Sequence, residues 1–221
     1  MARSITIYSG NNDGYIFNSG SNWVTVRDAD SGSSFNKTAT SYPYAARASV
    51  ASGRGGTTYF ITRSFFEFDV SEITHIPASA KLSIRGVSYG NADVVAVKGR
   101  QSASLGMGDF DAIDGWDGGH ADGSGAGNNS SNVTLYGAEL STWSTSGYNH
   151  FTILSPGLID IAKESLFKVC LLENDNDVKD ITATSNTNYS GLRFSEYTGT
   201  SSDPALVVEE QDNAAFFGCN F

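Results

Sequence analysis

The chain has 221 residues, 39% hydrophobic and 12% aromatic, with a formal net charge of −10. That profile is globular, long enough for one large β sandwich or two small domains, and able to fold without a metal or a disulfide staple. The acidic balance argues against a surface that grips phosphate backbones, so nucleic acid is not an expected partner.

Turns are written mainly in Gly, which occurs 24 times, and in Asn, Asp and Ser, whereas Pro occurs only 4 times. In chain order, residues 4–8 and 22–27 are expected as two early strands around the turn from Ser9 to Gly14. Residues 28–56 are rich in Ser, Ala and Gly and end in Ser52-Gly53-Arg54-Gly55-Gly56, a loop signature. Residues 57–70 are dense in β-branched and aromatic side chains and make the strongest strand pattern of the chain. Lys81 to Val87 alternates, with Leu82, Ile84 and Gly86 facing inward, and Asp93 to Lys98 follows as its neighbour.

Residues 102–132 form a long irregular segment in which glycines separate acidic and aromatic residues. Such a segment reads either as a functional or interface excursion or as a plain surface loop. Strands resume near 150–154, 166–172, 190–195 and 204–209, and Pro156 opens a short helix that runs to Lys163. About nine strands and one short helix make an all-β fold, an antiparallel β sandwich with Greek-key or jelly-roll connections and long Gly-rich loops. Residues 1–210 are expected as a single domain and 211–221 as an apolar C-terminal tail.

No stretch approaches the length of a transmembrane helix, so no membrane partner is expected. The first residues lack the apolar core of a signal peptide, which implies a chain made in a cytoplasm. Cys170 lies in an apolar run and reads as a buried thiol; the spacing to Cys219 supports no particular pairing.

The three histidines, His75, His120 and His150, lack HxH or HExxH spacing, and no G-x-S-x-G elbow marks a nucleophile. Paired carboxylates for sugar hydrolysis can be drawn from Asp109, Asp111, Asp114 and Asp117, but acidic residues among glycines are first of all turn residues. The chain is therefore read as a binder and not as an enzyme.

No cofactor is expected, with calcium as the one candidate. Hard cations want several oxygen ligands from a flexible loop. Two runs offer them: Asp109, Asp111 and Asp114 in one, and Glu173, Asp175 and Asp177 in the other. The second run starts like an EF-hand loop but has Val178 where the turn needs Gly, and an Asx-rich hairpin turn explains it equally. Trp116, Tyr136, Trp143 and Tyr148 are candidate sugar-stacking platforms; burial as core plugs is the competing reading.

The run Phe65-Phe66-Glu67-Phe68-Asp69-Val70-Ser71, followed by Ile76-Pro77-Ala78-Ser79-Ala80-Lys81-Leu82-Ser83-Ile84, resembles the signature of a jelly-roll family, DNRLRE-like or carbohydrate-binding-module-like. Leu192 to Tyr197 followed by Asp203 to Val208 resembles that family's closing hairpin, and the start from Ile5 to Tyr15 is similar to predicted phage structural proteins. The resemblance covers most of residues 4–209. It implies a fold shared by sugar-binding modules of secreted bacterial proteins and by decoration or fibre proteins of tailed phages. The literal Asp-Asn-Arg-Leu-Arg-Glu string of one relative is absent, so no binding residues are carried over.

Two functions follow as expectations. The first is a virion structural protein of a tailed phage, a capsid decoration (cement) protein or fibre domain on the particle surface. Its partners would be further copies of itself, as a trimer, the major capsid protein, and a host-surface glycan. The second is an extracellular carbohydrate-binding module of a secreted or cell-surface protein. Phe216, Phe217 and Phe221 are the candidate assembly residues, because apolar side chains near a chain end are costly to leave in water.

Overall fold

The computed structural model describes residues 3–116 and 132–211, and antiparallel strands dominate it. They are β1 (Ser4–Tyr8), β2 (Gly14–Gly20), β3 (Ser34–Asn36), β4 (Ser41–Gly53), β5 (Gly56–Asp69), β6 (Ser79–Gly90) and β7 (Val94–Lys98). After the segment outside the description come β8 (Leu135–Leu140), β9 (Tyr148–Thr152), β10 (Leu166–Glu173), β11 (Tyr189–Arg193) and β12 (Ala205–Glu209). The described residues hold two α-helices, α1 (Trp23–Arg27) and α2 (Ser155–Lys163).

Two layers share one strand. The first half of β6 pairs with β12 and β9, and β1 closes that layer on β12. The second half of β6 pairs with β11, and the larger layer continues through β4, β5, β10, β7 and β8. The sheet curls where β6 changes partners. Gly86 sits at that point, because a Cβ there would lie 1.9 Å from the Ser144 carbonyl oxygen and 2.7 Å from the Trp143 indole nitrogen. No larger residue fits under that loop.

β5 carries most of the pairing. It meets β4 through Gly56–Thr62, β10 through Ser64–Asp69 and β2 across Tyr59–Phe65. Over residues 61–68 both of its faces are covered. Phe66 and Phe68 face the smaller layer and share a core with Leu82, Ile84, Phe151, Phe167, Leu206 and Val208. Phe65 and Ile61 face the other way, with Ile16, Cys170, Leu172 and Val97, beneath Trp23, Val26, Phe110 and Trp116. Burial of such side chains contributes roughly 1.5–3 kcal/mol each. Cys170 is a free and fully buried thiol, and burial pushes its pKa up; Cys219 lies outside the described residues.

Several local expectations change. Residues 22–27 are a helix and not a strand: Asn22 accepts the Thr25 N–H as a cap, and Trp23 and Val26, three apart, turn onto one face of the core. Residues 28–56 are no loop, since they contain β3 and the long strand β4. Their Ala and Ser residues are the small side chains that a strand under two layers requires. β2 and β8 join the expected strands, so the described residues hold 12 strands and two α-helices, against about nine and one. α2 starts with Pro in its first turn, as Pro156 implied.

Candidate functional site

Paired residues share a face of an antiparallel sheet, so the register shows what lies on the inner face of the larger layer beyond the smaller one. Thr62 is paired with Arg47 on one side and Phe17 on the other, Ser64 with Tyr15, Phe60 with Ser49, and Arg47 with Tyr189. These residues continue the face on which Phe66 and Phe68 are core. β4 and β5 are the two longest strands described, at 13 and 14 residues, and β9, β1 and β12 of the smaller layer have five each. Ser49, Thr62 and Ser64 on this face are nonetheless fully buried, and the aromatic side chains beside them are half-buried. What emerges is a strip of half-buried aromatic rings on a floor of Ser and Thr.

The strip is ordered by ring contacts. Tyr15 stacks on Tyr42 with ring centroids 3.9 Å apart and planes 7° from parallel. Tyr42 meets Tyr44 edge-on at 5.9 Å, and Tyr44 meets Tyr189 edge-on at 4.7 Å. The Arg47 guanidinium lies 4.8 Å from the Tyr44 ring and 4.3 Å from the Phe60 ring, and Phe60 stacks on Phe17 at 6.2 Å. Arg47 Nε donates to Ser49 Oγ at 2.5 Å, which fixes the plane of the guanidinium. Burial holds the Arg47 pKa below its ordinary value, and burial raises those of Tyr15 and Tyr42. Thr62 Oγ1, in the same rank as Arg47 and Phe17, is buried and has no hydrogen-bond partner among the described residues. Flat apolar faces beside hydroxyl and guanidinium donors are the chemistry that binds pyranose rings.

The four aromatic residues singled out from sequence lie elsewhere. Trp116 is buried beneath two arginines, with the Arg27 and Arg63 guanidinium carbons 4.6 and 4.1 Å from its ring. Tyr136 is buried, stacks on Phe167 at 4.6 Å and donates to Asp160 Oδ2 at 2.6 Å. Trp143 is buried and donates to the Gly191 carbonyl at 3.0 Å. Their rings have no free face to offer a sugar. Tyr148 is half-buried and ties its hydroxyl to the carbonyls of Ser201 and Asp203.

Neither acidic run gathers its carboxylates. Asp109 is buried and accepts from Ser102 N, Ser102 Oγ and Gly106 N, closing its own loop. Asp114 accepts from Thr134 Oγ1, and Asp111 is half-buried, with its pKa raised by burial. In the second run, Glu173 is buried and accepts three backbone N–H groups, from Asp175, Asn176 and Asp177. Burial nonetheless pushes its pKa up to about 8. Asp177 is fully buried on Arg63 and accepts from its Nε at 2.9 Å and its Nη2 at 2.7 Å. A guanidinium already fills the position a cation would take.

The carboxylate oxygens close enough to share one ion, among the described residues, are those of Asp93, Glu139 and Asp175. Asp93 is pushed up to about 6, chiefly by burial and next by Glu139. Lys179 already reaches this group, with Nζ 2.6 Å from Asp175 and 3.8 Å from Glu139.

Of the histidines, His75 is exposed beside Thr74, and His120 lies outside the described residues with Asp117. His150 Nδ1 is 2.9 Å from Ser83 Oγ, with its pKa lowered by burial and by Lys81. No carboxylate among the described residues hydrogen-bonds the other nitrogen of that ring, so the pair lacks the third group of a triad.

No family model matches this chain, and no curated protein matches it. The site therefore rests on its own geometry. Tyr15, Phe17, Tyr42, Tyr44, Arg47, Phe60 and Tyr189 escaped the sequence reading, although one signal was present. Tyr42-Pro43-Tyr44 alternates aromatic residues inside a stretch whose Ser and Ala content suggested a loop. Phe216, Phe217 and Phe221 lie outside the described residues.

Proposed function

We propose that this chain is a non-catalytic display domain of jelly-roll type on the surface of a tailed-phage virion, a capsid decoration protein or fibre domain. In this reading it presents the aromatic strip of β2, β4, β5 and β11 to a surface glycan. The observation that carries the reading is the strip itself, six half-buried aromatic rings gathered around the half-buried Arg47 over a floor of Ser49, Thr62 and Ser64.

The packing of the motif residues supports the jelly-roll resemblance. Phe66 and Phe68 share a core with Ala80, Leu82 and Ile84, and the strands of the closing hairpin, β11 and β12, lie against the two halves of β6. Assembly as a trimer and on the major capsid protein belongs to the same proposal, with Phe216, Phe217 and Phe221 as its contacts. The strip also fits the second reading, a carbohydrate-binding module of a secreted or cell-surface protein, because fold alone does not choose between them.

Two measurements test this. Immunogold labelling of purified particles with an antibody to the chain should decorate virions; unlabelled particles beside labelled culture medium would favour the secreted module. Affinity electrophoresis in gels containing polysaccharides should retard the protein, and Tyr44→Ala should abolish the retardation while a melting curve shows the variant still folded. Equal mobility in every gel would remove the strip from consideration.

A further inference from the structure

We infer that the ligand of the strip is an acidic glycan, whose sugar carboxylate is met by Arg47 beside the rings of Tyr44 and Phe60. The inference rests on the reading of the strip as a glycan surface and specifies its ligand class.

The charge pattern is the first argument. In a chain of net charge −10, Arg47 has no carboxylate partner among the described residues. The charged or ionisable neighbours that act on it are Tyr42, Tyr44 and Tyr189, none of them ionised near neutral pH. The other buried arginines are different: Arg27 is bound to Asp28 at 2.6 Å and Arg63 to Asp177 at 2.7 Å. A half-buried cation without a counter-ion favours an anion brought by a ligand.

Geometry is the second argument. A guanidinium presents five N–H donors in a rigid fork, and Arg47 uses Nε on Ser49. The two Nη groups carry the remaining donors, and among the described residues no acceptor takes them. The guanidinium lies over the Tyr44 and Phe60 rings, and its two Nη groups match the two oxygens of a carboxylate.

The test uses the full chain and isothermal calorimetry with polygalacturonate, alginate and hyaluronate, each beside its carboxyl-reduced form. At least one acidic polymer should bind about tenfold or more tightly than its reduced form, and the difference should shrink as salt is raised. Arg47→Gln should bring the acidic polymer down to the level of its reduced form, and Arg47→Lys should restore part of the loss. A melting curve of each variant confirms folding. If acidic and reduced polymers bind alike and Arg47→Gln changes nothing, the acidic ligand is refuted while a glycan surface stands. If none of the six polymers binds, both fall. Tighter binding of a single-stranded oligonucleotide than of any polymer would overturn both in favour of nucleic acid.

Discussion

The Arg63 guanidinium and the Asp177 carboxylate meet in a two-pronged ion pair between residues 114 positions apart, with both side chains fully buried. Arg63 further donates to the carbonyls of Phe110 and Arg27, so one side chain ties β5 to α1, to the loop at Phe110 and to the turn after β10. Removing one partner strands the other charge in a dry environment, at a cost of about 3–5 kcal/mol. Arg63→Met and Asp177→Leu should each lower stability by that order in urea titrations. The double variant should lose less than the sum, because the second change removes the charge that the first exposed. Additive losses would show that the pair is not coupled.

That pair also explains what could be read from sequence and what could not. The strands with dense β-branched and aromatic content, β5, β6 and β10, were legible because local composition decides them. Phe65 and Phe66 are both fully buried although adjacent, since the layer is covered on each side, and continuous apolar runs therefore carried the pattern better than alternation did. α1 was hidden because Val24 and Val26 mimic a strand, and the packing of Trp23 under distant loops outweighs that propensity. The carboxylates misled for a related reason. Asp177 looks like a calcium ligand in its own loop, and only the approach of Arg63 reveals its partner. The strip was illegible because its rings come from four strands that only the fold brings together.

Calcium should leave the protein largely unaffected. A ligand that binds the native state raises its stability by an amount set by concentration over affinity. The carboxylates of Glu173 and Asp177 are already taken by backbone N–H groups and Arg63, and those of Asp93, Glu139 and Asp175 lie under Lys179. Thermal melts in millimolar calcium and in EDTA should agree to within about 1 °C, under the roughly 2–4 °C expected of 1 kcal/mol in a chain of this size. Lys179→Ala vacates the acidic group and should make the melt calcium-sensitive. A large EDTA effect on the unaltered protein would mean that a site is occupied despite these partners.

Deleting residues 212–221 tests the assembly proposal. Exposed large apolar side chains cost roughly 1.5–3 kcal/mol each, so Phe216, Phe217 and Phe221 need a cover. The proposal expects a truncated chain that melts like the full one yet sediments as a monomer and no longer decorates particles. Early melting with unchanged assembly would instead make the segment part of its own domain.

Stability should fall as pH rises from 5 to 8, the reverse of ordinary acid denaturation. Asp13 is fully buried in the turn between β1 and β2, where its carboxylate accepts from Ser9 Oγ, Ser195 N and Ser195 Oγ. Burial is the largest influence and pushes its pKa up to about 7; Glu196 pushes in the same direction, whereas the three donors pull it down. In the unfolded chain the group titrates near its usual value of about 4, so between about pH 4 and 7 the native state holds more protons than the unfolded one. Stability contributed by the protonated form is then complete below about pH 4 and is lost as pH rises through about 7. Glu173, pushed up to about 8, has the same sign and extends the decline. Asp160 and Asp69 have lowered values and act oppositely, but that contribution is lost only below the ordinary carboxylate range. At about 1.4 kcal/mol per unit, the decline is on the order of a few kcal/mol. Urea midpoints at pH 5, 6, 7 and 8 should fall steadily. Asp13→Asn, neutral at every pH, should make the decline shallower between 5 and 7, and Glu173→Gln should make it shallower over the whole range up to about 8. A midpoint that stays level or climbs over that range in the unaltered protein would show that Asp13 keeps its charge in the fold, and that its three donors outweigh its burial.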